Sequence, residues 1–219
     1  MSVDYISESP AQKGNPIRGR FNAGFFSLMD GYLNWLLSAQ KTKLFKDLPP
    51  EIVELGSGVG ANFRYMKPGT KLTAIEPNPH MHNGLARRAQ QYGIDLHVAP
   101  TSAERIELPD NSADTIICTL VLCTVDDPAQ VVREVRRILK PGGEFLFLEH
   151  VVAPTGSWRR VLQNSLHSPW HYCFEGCHTN RDTASLLRDA GFRSVDIEPY
   201  TMRGPFIPVN SQICGRAVA

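Results

Sequence analysis

Three features of the chain join residue type to a spacing that supports ligand chemistry. The first is the run Glu54-Leu55-Gly56-Ser57-Gly58-Val59-Gly60-Ala61-Asn62, whose alternating glycines permit a tight turn and let a ligand lie against bare backbone. The second is Glu76, twenty residues after Gly56, a carboxylate able to accept both hydroxyl hydrogens of a ribose. The third is Glu54, which sets a negative charge at the entry to the glycines. Gly56-x-Gly58-x-x-Ala61 matches a loose dinucleotide pattern, so a nicotinamide or flavin ligand is one reading. Glu54 repels a pyrophosphate and suits a cationic group such as an α-ammonium. S-adenosylmethionine carries an ammonium and a ribose and no phosphate, so it fits the pair Glu54 and Glu76 better.

Groups able to move or hold a proton lie further along. His150 ends an apolar run over residues 144–150 and is the first candidate for acid–base or orienting work, with a simple strand-end cap as the alternative. Trp170, His171, Cys173, Glu175, Cys177 and His178 form a second cluster, in which His171 is the other acid–base candidate. His171, Cys173, Cys177 and His178 can be read as a zinc set, but their spacing is not that of common zinc fingers, and no metal is expected. Cys173-x-x-x-Cys177-His178 has one residue too many for haem attachment. Cys118 and Cys123 read as small core residues. Arg133, Arg136 and Arg137 read as a solvated helix face, and Arg159 and Arg160 beside Trp158 as a solvated helix start or a steering patch for an anionic substrate.

The elements that must position these residues follow from apolar periodicity. Residues 51–55, 71–76, 94–98, 115–122 and 144–150 read as buried strands. Asn78 caps a helix that has Pro79 at its first position and Gly93 beyond its end; Asp127 and Pro128 open another, stopped by Lys140-Pro141-Gly142-Gly143. A further helix is expected from Thr179 to Gly191, then strands around Val195 and Ile197 and over residues 211–218. Residues 1–16 read as a loose polar tail, and 17–37 as one amphipathic helix, or two broken near Gly31. That helix is expected to pack on the body, with a lid or a membrane-surface contact as the other readings. Alternating strand and helix predicts a doubly wound α/β fold, mostly parallel, with helices on both faces. Ligands then sit at the carboxyl ends of the strands, near the switch in strand order. The expected division is a tail and helical cap over 1–48 and a ligand-binding domain over 49–219.

Composition narrows the partners. With 42% hydrophobic and 21% charged residues in 219, the chain is not a disordered one. Lys and Arg number 23 against 22 Asp and Glu, a net charge of +1, which argues against a dedicated nucleic-acid binder and for a small, nearly neutral substrate. Five cysteines are an odd set without disulfide-framework spacing, the first residues have no signal-peptide apolar region, and the apolar stretches are too short for a bilayer. A cytoplasmic protein with no transmembrane segment is expected. Oligomeric state leaves no signature in the sequence.

Four stretches resemble class I S-adenosylmethionine-dependent methyltransferases in order and spacing: E-L-G-S-G-V-G, A-I-E-P-N around Glu76, S-A-E-R-I-E-L-P-D-N-S-A-D and R-I-L-K-P-G-G-E-F. C-T-L-V-L-C-T-V, F-L-E-H-V, S-P-W-H-Y-C-F-E-G-C-H-T-N-R-D-T and V-N-S-Q-I-C-G-R-A-V are similar to the methyltransferase-like alkyl thiol S-methyltransferases, a group related to the ubiquinone and menaquinone C-methyltransferases. Those animal enzymes begin with a hydrophobic anchor, and membrane attachment of that kind is not expected from this sequence. The resemblance implies a Rossmann-like methyltransferase fold. It implies that Glu54, Gly56, Ser57 and Gly58 hold the methionine moiety, that Glu76, Pro77 and Asn78 hold the ribose and flank the adenine, that Ser102, Ala103 and Glu104 lie along the adenine, and that Thr119 and Leu120 lie beneath the sulfonium. It also implies that the segment from Trp170 to His178 closes the substrate pocket. The expected activity is methyl transfer to a small-molecule thiol. The alternatives are C- or O-methylation of a quinol or aromatic natural product, or a non-catalytic cofactor-binding protein.

Overall fold

The computed structural model describes residues 4–5, 16–174 and 176–219. In chain order the elements are β1 (Asp4–Tyr5), α1 (Pro16–Leu44), β2 (Glu51–Leu55), β3 (Lys71–Ile75), α2 (Pro79–Tyr92), β4 (Asp95–Ala99), β5 (Ala113–Thr119), α3 (Pro128–Ile138), β6 (Leu139–His150), α4 (Trp158–Cys173), α5 (Thr183–Asp189), β7 (Ser194–Thr201) and β8 (Ser211–Val218). They form one sheet in the order β1-β4-β3-β2-β5-β6-β8-β7. The pairs from β1 through β6 are parallel, and β8 runs antiparallel to both neighbours. Strand order reverses between β2 and β5, which opens a crevice over their carboxyl ends.

Alternation along the strands sorts the core into two faces. Val53, Leu55, Ile116, Cys118, Phe145 and Phe147 pack with Val131, Val135 and Ile138 of α3 and Leu187 of α5. Ile52, Ile117 and Leu146 pack with Leu85 and Ala89 of α2 and with Phe45, just past α1. The same period puts Glu54 and His150 on the α1–α2 face, and Glu149 on the α3 face. Helix α2 has its expected Asn78 cap, with the side chain accepting from His80 N, and ends at Gly93 in the left-handed conformation.

Several expectations are corrected. Helix α1 is the single helix of the two alternatives, unbroken at Gly31, but it runs on to Leu44 rather than ending near Leu37, and polar ties hold it along its length. The buried Asn22 amide donates to Cys173 O, Asp30 pairs with Arg64 and Arg88, and Asn34 accepts from Tyr65. Of the tail expected to be loose, Asp4–Tyr5 pair with β4 and Pro16 opens α1; the rest of it lies outside the described residues. Strand β5 stops at Thr119 rather than Leu122, since Leu120 turns to φ +58°. Lys140-Pro141-Gly142-Gly143 lies within β6, bulged between the pairs Ala113↔Leu139 and Thr115↔Glu144. Asp182, not Thr179, caps α5. Arg137 is half-buried rather than solvated. It pairs with Glu134 and Asp110 and donates to the carbonyls of Ile106 and Leu108. Among the described residues no helix is long and apolar enough to cross a membrane.

Candidate functional site

A cavity of about 710 Å³ opens over the crevice between β2 and β5. One wall is built from the predicted cradle: Gly56, Gly58, Glu76, Pro77, Asn78, Ser102, Ala103, Glu104, Thr119 and Leu120 all line it. Gly56 has φ +59°, and a Cβ there would come within 2.4 Å of Val121 Cγ2, so the turn admits no side chain. At Gly58, with φ +55°, a Cβ would meet nothing nearer than Gly56 O at 4.0 Å; the backbone borders a hollow. The Glu76 carboxylate is aimed by two backbone donors, Gly58 N to Oε2 at 2.7 Å and Asn78 N to Oε1 at 2.8 Å. His82 Nε2 holds the Glu76 carbonyl at 2.8 Å. This arrangement, a fixed carboxylate beside bare backbone, fits an adenosyl ligand with no phosphate.

Glu54 and Ser57 are not on the wall. Glu54 is buried behind Asn62, whose amide donates to Glu54 Oε1 at 2.6 Å and to Thr119 Oγ1 at 3.1 Å. Glu54 Oε2 is buried without a hydrogen-bond partner. Burial pushes this carboxyl above its ordinary range, against the pull of Asn62, then of Ser57 and Lys41. Lys41 arrives from α1, lines the cavity and is 3% exposed. Burial lowers its ammonium to about 8, opposed by the charge of Glu54. Sequence periodicity gave no sign of Lys41, since the expected helix stopped at residue 37 whereas α1 runs on to Leu44.

The turn after β5 is fixed from below. Glu149 is wholly buried, and its Oε1 accepts from Val121 N at 2.8 Å and Leu122 N at 3.1 Å; Leu120 N donates to Leu148 O at 2.9 Å. These bonds hold Leu120 in its left-handed conformation against the cavity.

The far end of the cavity is aromatic and sulfur-rich. Phe25 and Phe26 of α1, Trp170 of α4, Phe174, Phe206 and Met202 line it. Phe25 meets Phe174 edge-on at 5.3 Å, and Trp170 lies 4.4 Å from Phe174. His150 and Cys177 stand here, with His150 Nε2 3.0 Å from Cys177 Sγ. Trp170 Nε1 donates to Cys177 Sγ at 3.3 Å, and Cys123 Sγ lies 3.9 Å from it. The Cys177 thiol is drawn below its ordinary value by the bond to Cys123, then by Trp170, while burial pushes Cys123 well up. Burial works to lower His150, and its neighbours Cys123, with a hydrogen bond, and Glu149 outweigh it and raise the imidazole.

His171 is placed elsewhere. Its ring is not on the cavity wall but packs on His178 and His167, at 4.6 and 5.7 Å. Burial, with Arg181 and the two other imidazoles, lowers His178 to about 4. Cys173 is exposed, and Glu175 lies outside the described residues. Cys118 is core, as expected, whereas Cys123 is both buried and on the wall.

Comparison with known proteins agrees with this geometry. A family model described as a methyltransferase domain matches residues 53–147. The human thiol S-methyltransferase TMT1B is 38% identical over 172 residues, covering 76% of this chain and 70% of that one. The ubiquinone/menaquinone biosynthesis C-methyltransferase UbiE of Escherichia coli is 28% identical, covering 66% and 67%. In structure, an S-adenosylmethionine-dependent methyltransferase from Aquifex aeolicus superposes with a TM-score of 0.62 at 17% identity, covering 94% of this chain and 99% of that one.

Proposed function

The chain belongs to the thiol S-methyltransferase family and is an S-adenosylmethionine-dependent methyltransferase, and from that premise we propose that its acceptor is the thiol sulfur of a small apolar molecule. The observation that carries the choice is the far end of the cavity, where Phe25, Trp170, Phe174 and Met202 share the wall with His150 and Cys177. Aromatic rings and sulfur favour a soft, polarizable guest. A thiol, with pKa around 8.5, also needs less help to ionise than a phenol or a quinol carbon.

S-adenosylmethionine, when bound, supplies a methyl group on a positively charged sulfur that is a good leaving group. The chain's part is to align the nucleophile and keep water out, and positioning alone supplies up to roughly 7–11 kcal/mol. Glu76 takes the ribose hydroxyls. Pro77 and Asn78, with Ser102, Ala103 and Glu104, flank the adenine. Gly56 and Gly58 give the methionine moiety bare backbone, with Ser57 behind them. Glu54 acts on the α-ammonium side through Asn62, and Lys41 meets the α-carboxylate. Thr119 and Leu120 lie beneath the sulfonium. His150 is the catalytic residue that meets the acceptor; His171, outside the wall, has no such part.

The net charge of +1 supports a small molecule rather than a nucleic acid as partner. Five free cysteines, two of them on the cavity wall, support a reducing, cytoplasmic setting. The test is methyl transfer with a simple alkyl thiol and, in parallel, a quinol. Formation of the methyl thioether is expected. Turnover of the quinol with none of the thiol overturns the proposal in favour of C- or O-methylation.

A further inference from the structure

Cys123, His150 and Cys177 come from three separate stretches: the turn after β5, the end of β6 and the segment after α4. All three are buried, all line the cavity, and their ligand atoms lie within 4.8 Å of one another. The two cysteine segments are tied directly, His178 N donating to Cys123 O at 2.8 Å. Arg181 fixes the same turn by donating to Leu122 O and Val125 O at 2.6 and 2.7 Å.

Tetrahedral zinc, with bonds of about 2.3 Å to sulfur and 2.0–2.1 Å to nitrogen, sets its ligand sulfurs about 3.8 Å apart and sulfur from nitrogen about 3.5 Å. The Cys123–Cys177 separation is 3.9 Å, and the His150–Cys177 separation of 3.0 Å needs to open by about half an ångström. A Cys₂His set with its fourth position open to a cavity is a ligand pattern of catalytic rather than structural zinc. We propose that Cys123, His150 and Cys177 bind a zinc ion whose open position takes the acceptor thiol as its thiolate.

This deepens the thiol reading and rests on it. On loading, the two cysteines give up their protons to solvent and the ion holds a hydroxide or water. The acceptor RSH displaces it, its proton leaving with the hydroxide as water or, where the ion held water, to solvent. The zinc-held sulfur then forms its bond to the methyl carbon as the methyl–sulfonium bond breaks, and the thioether, a poor zinc ligand, departs. Two cysteine thiolates and the acceptor thiolate leave the loaded site with one net negative charge, which favours approach to a sulfonium and keeps the bound sulfur nucleophilic. His150 then serves as ligand through Nε2, and the metal takes over ionisation of the thiol.

Cobalt(II) titration of the reduced, metal-stripped protein tests this without reference to activity. A one-to-one complex is expected, with sulfur-to-cobalt charge-transfer absorption and intense tetrahedral ligand-field bands that shift when an alkyl thiol is added. Cys123→Ser and Cys177→Ser should each weaken the charge-transfer band, while Cys173→Ser, at an exposed site, should keep it. The wild-type spectrum stands whether or not the buried variants fold. A wild-type spectrum of weak octahedral type overturns the inference, as does unchanged thiol methylation by the stripped protein; the latter leaves the thiol reading intact. A loaded site in a protein that methylates no thiol strikes the thiol reading itself, and the ion's role with it.

Discussion

Two charged side chains on the cavity wall carry opposite signs and separable predictions. Glu76 is held by the Gly58 and Asn78 amides, so its replacement by alanine removes the ribose acceptor and frees two donors. Glu76→Ala should weaken cofactor binding by roughly 1–3 kcal/mol, read by calorimetry with S-adenosylhomocysteine; an unchanged affinity contradicts its placement. Lys41 has a folded value of about 8 against an ordinary 10.5, because it is buried. Between those values the unfolded chain holds more protons, so this group's contribution to stability rises with pH across that window, by on the order of 3 kcal/mol in all. Binding to an α-carboxylate needs the charged ammonium, so cofactor affinity should fall as pH climbs past about 8. Lys41→Met should abolish both trends, checked by urea unfolding and calorimetry over the same pH range. Glu76 was legible in the sequence because a strand tip and a glycine turn fix where such an acid must point. Lys41, like the meeting of Cys123 with Cys177, depends on how α1 and the segment after α4 fold over the sheet, and no local pattern encodes that.

At the scale of elements, one arginine ties the adenine side of the cavity to α3. Arg137 donates to Ile106 O and Leu108 O at 2.7 and 2.8 Å and pairs with Glu134 and Asp110. Glu134 in turn accepts from Ile106 N. The loop so anchored begins just after Ser102, Ala103 and Glu104. Arg137→Ala should therefore lower stability by about 2 kcal/mol, by leaving carbonyls without a donor, and should weaken adenosyl binding as well. Arg137→Lys should rescue little, because an ammonium lacks the planar fork that spans two carbonyls and two carboxylates. Urea midpoints of the three proteins check the order. The strands were legible here because an unbroken apolar run is a local signal of a strand covered on both faces, clear in Ile116-Ile117-Cys118 and in Phe145 to Leu148, all of them buried. What hid Arg137 was composition: three arginines on one helix read as solvent-facing, and only the return of the loop over residues 104–110 gives one of them carbonyls to hold. The end of β5 was hidden for a related reason, since Glu149, thirty residues on, sets the turn at Leu120.

For the whole molecule, the cavity couples ligand binding to folding, because its wall is assembled from nearly every part of the chain: α1, the turns after β2, β3, β4 and β5, the end of β6, α4 and the segment before β8. A ligand held by that set binds the folded state and not the unfolded one. At a hundredfold excess over its dissociation constant, S-adenosylhomocysteine should stabilise the fold by about 2.7 kcal/mol. For a chain of 219 residues, each kcal/mol moves the melting temperature by about 2–4 °C, so a rise of about 5–11 °C is expected. NADH at the same concentration should give no comparable rise, since Glu54 behind the glycine turn opposes a pyrophosphate. At that fixed concentration the rise should shrink in Glu76→Ala in step with its lost affinity, because the linkage depends only on concentration relative to the dissociation constant. A larger shift with NADH than with S-adenosylhomocysteine would mean that the acid pair does not select a sulfonium nucleoside, and the placement of every cofactor contact would fall with it.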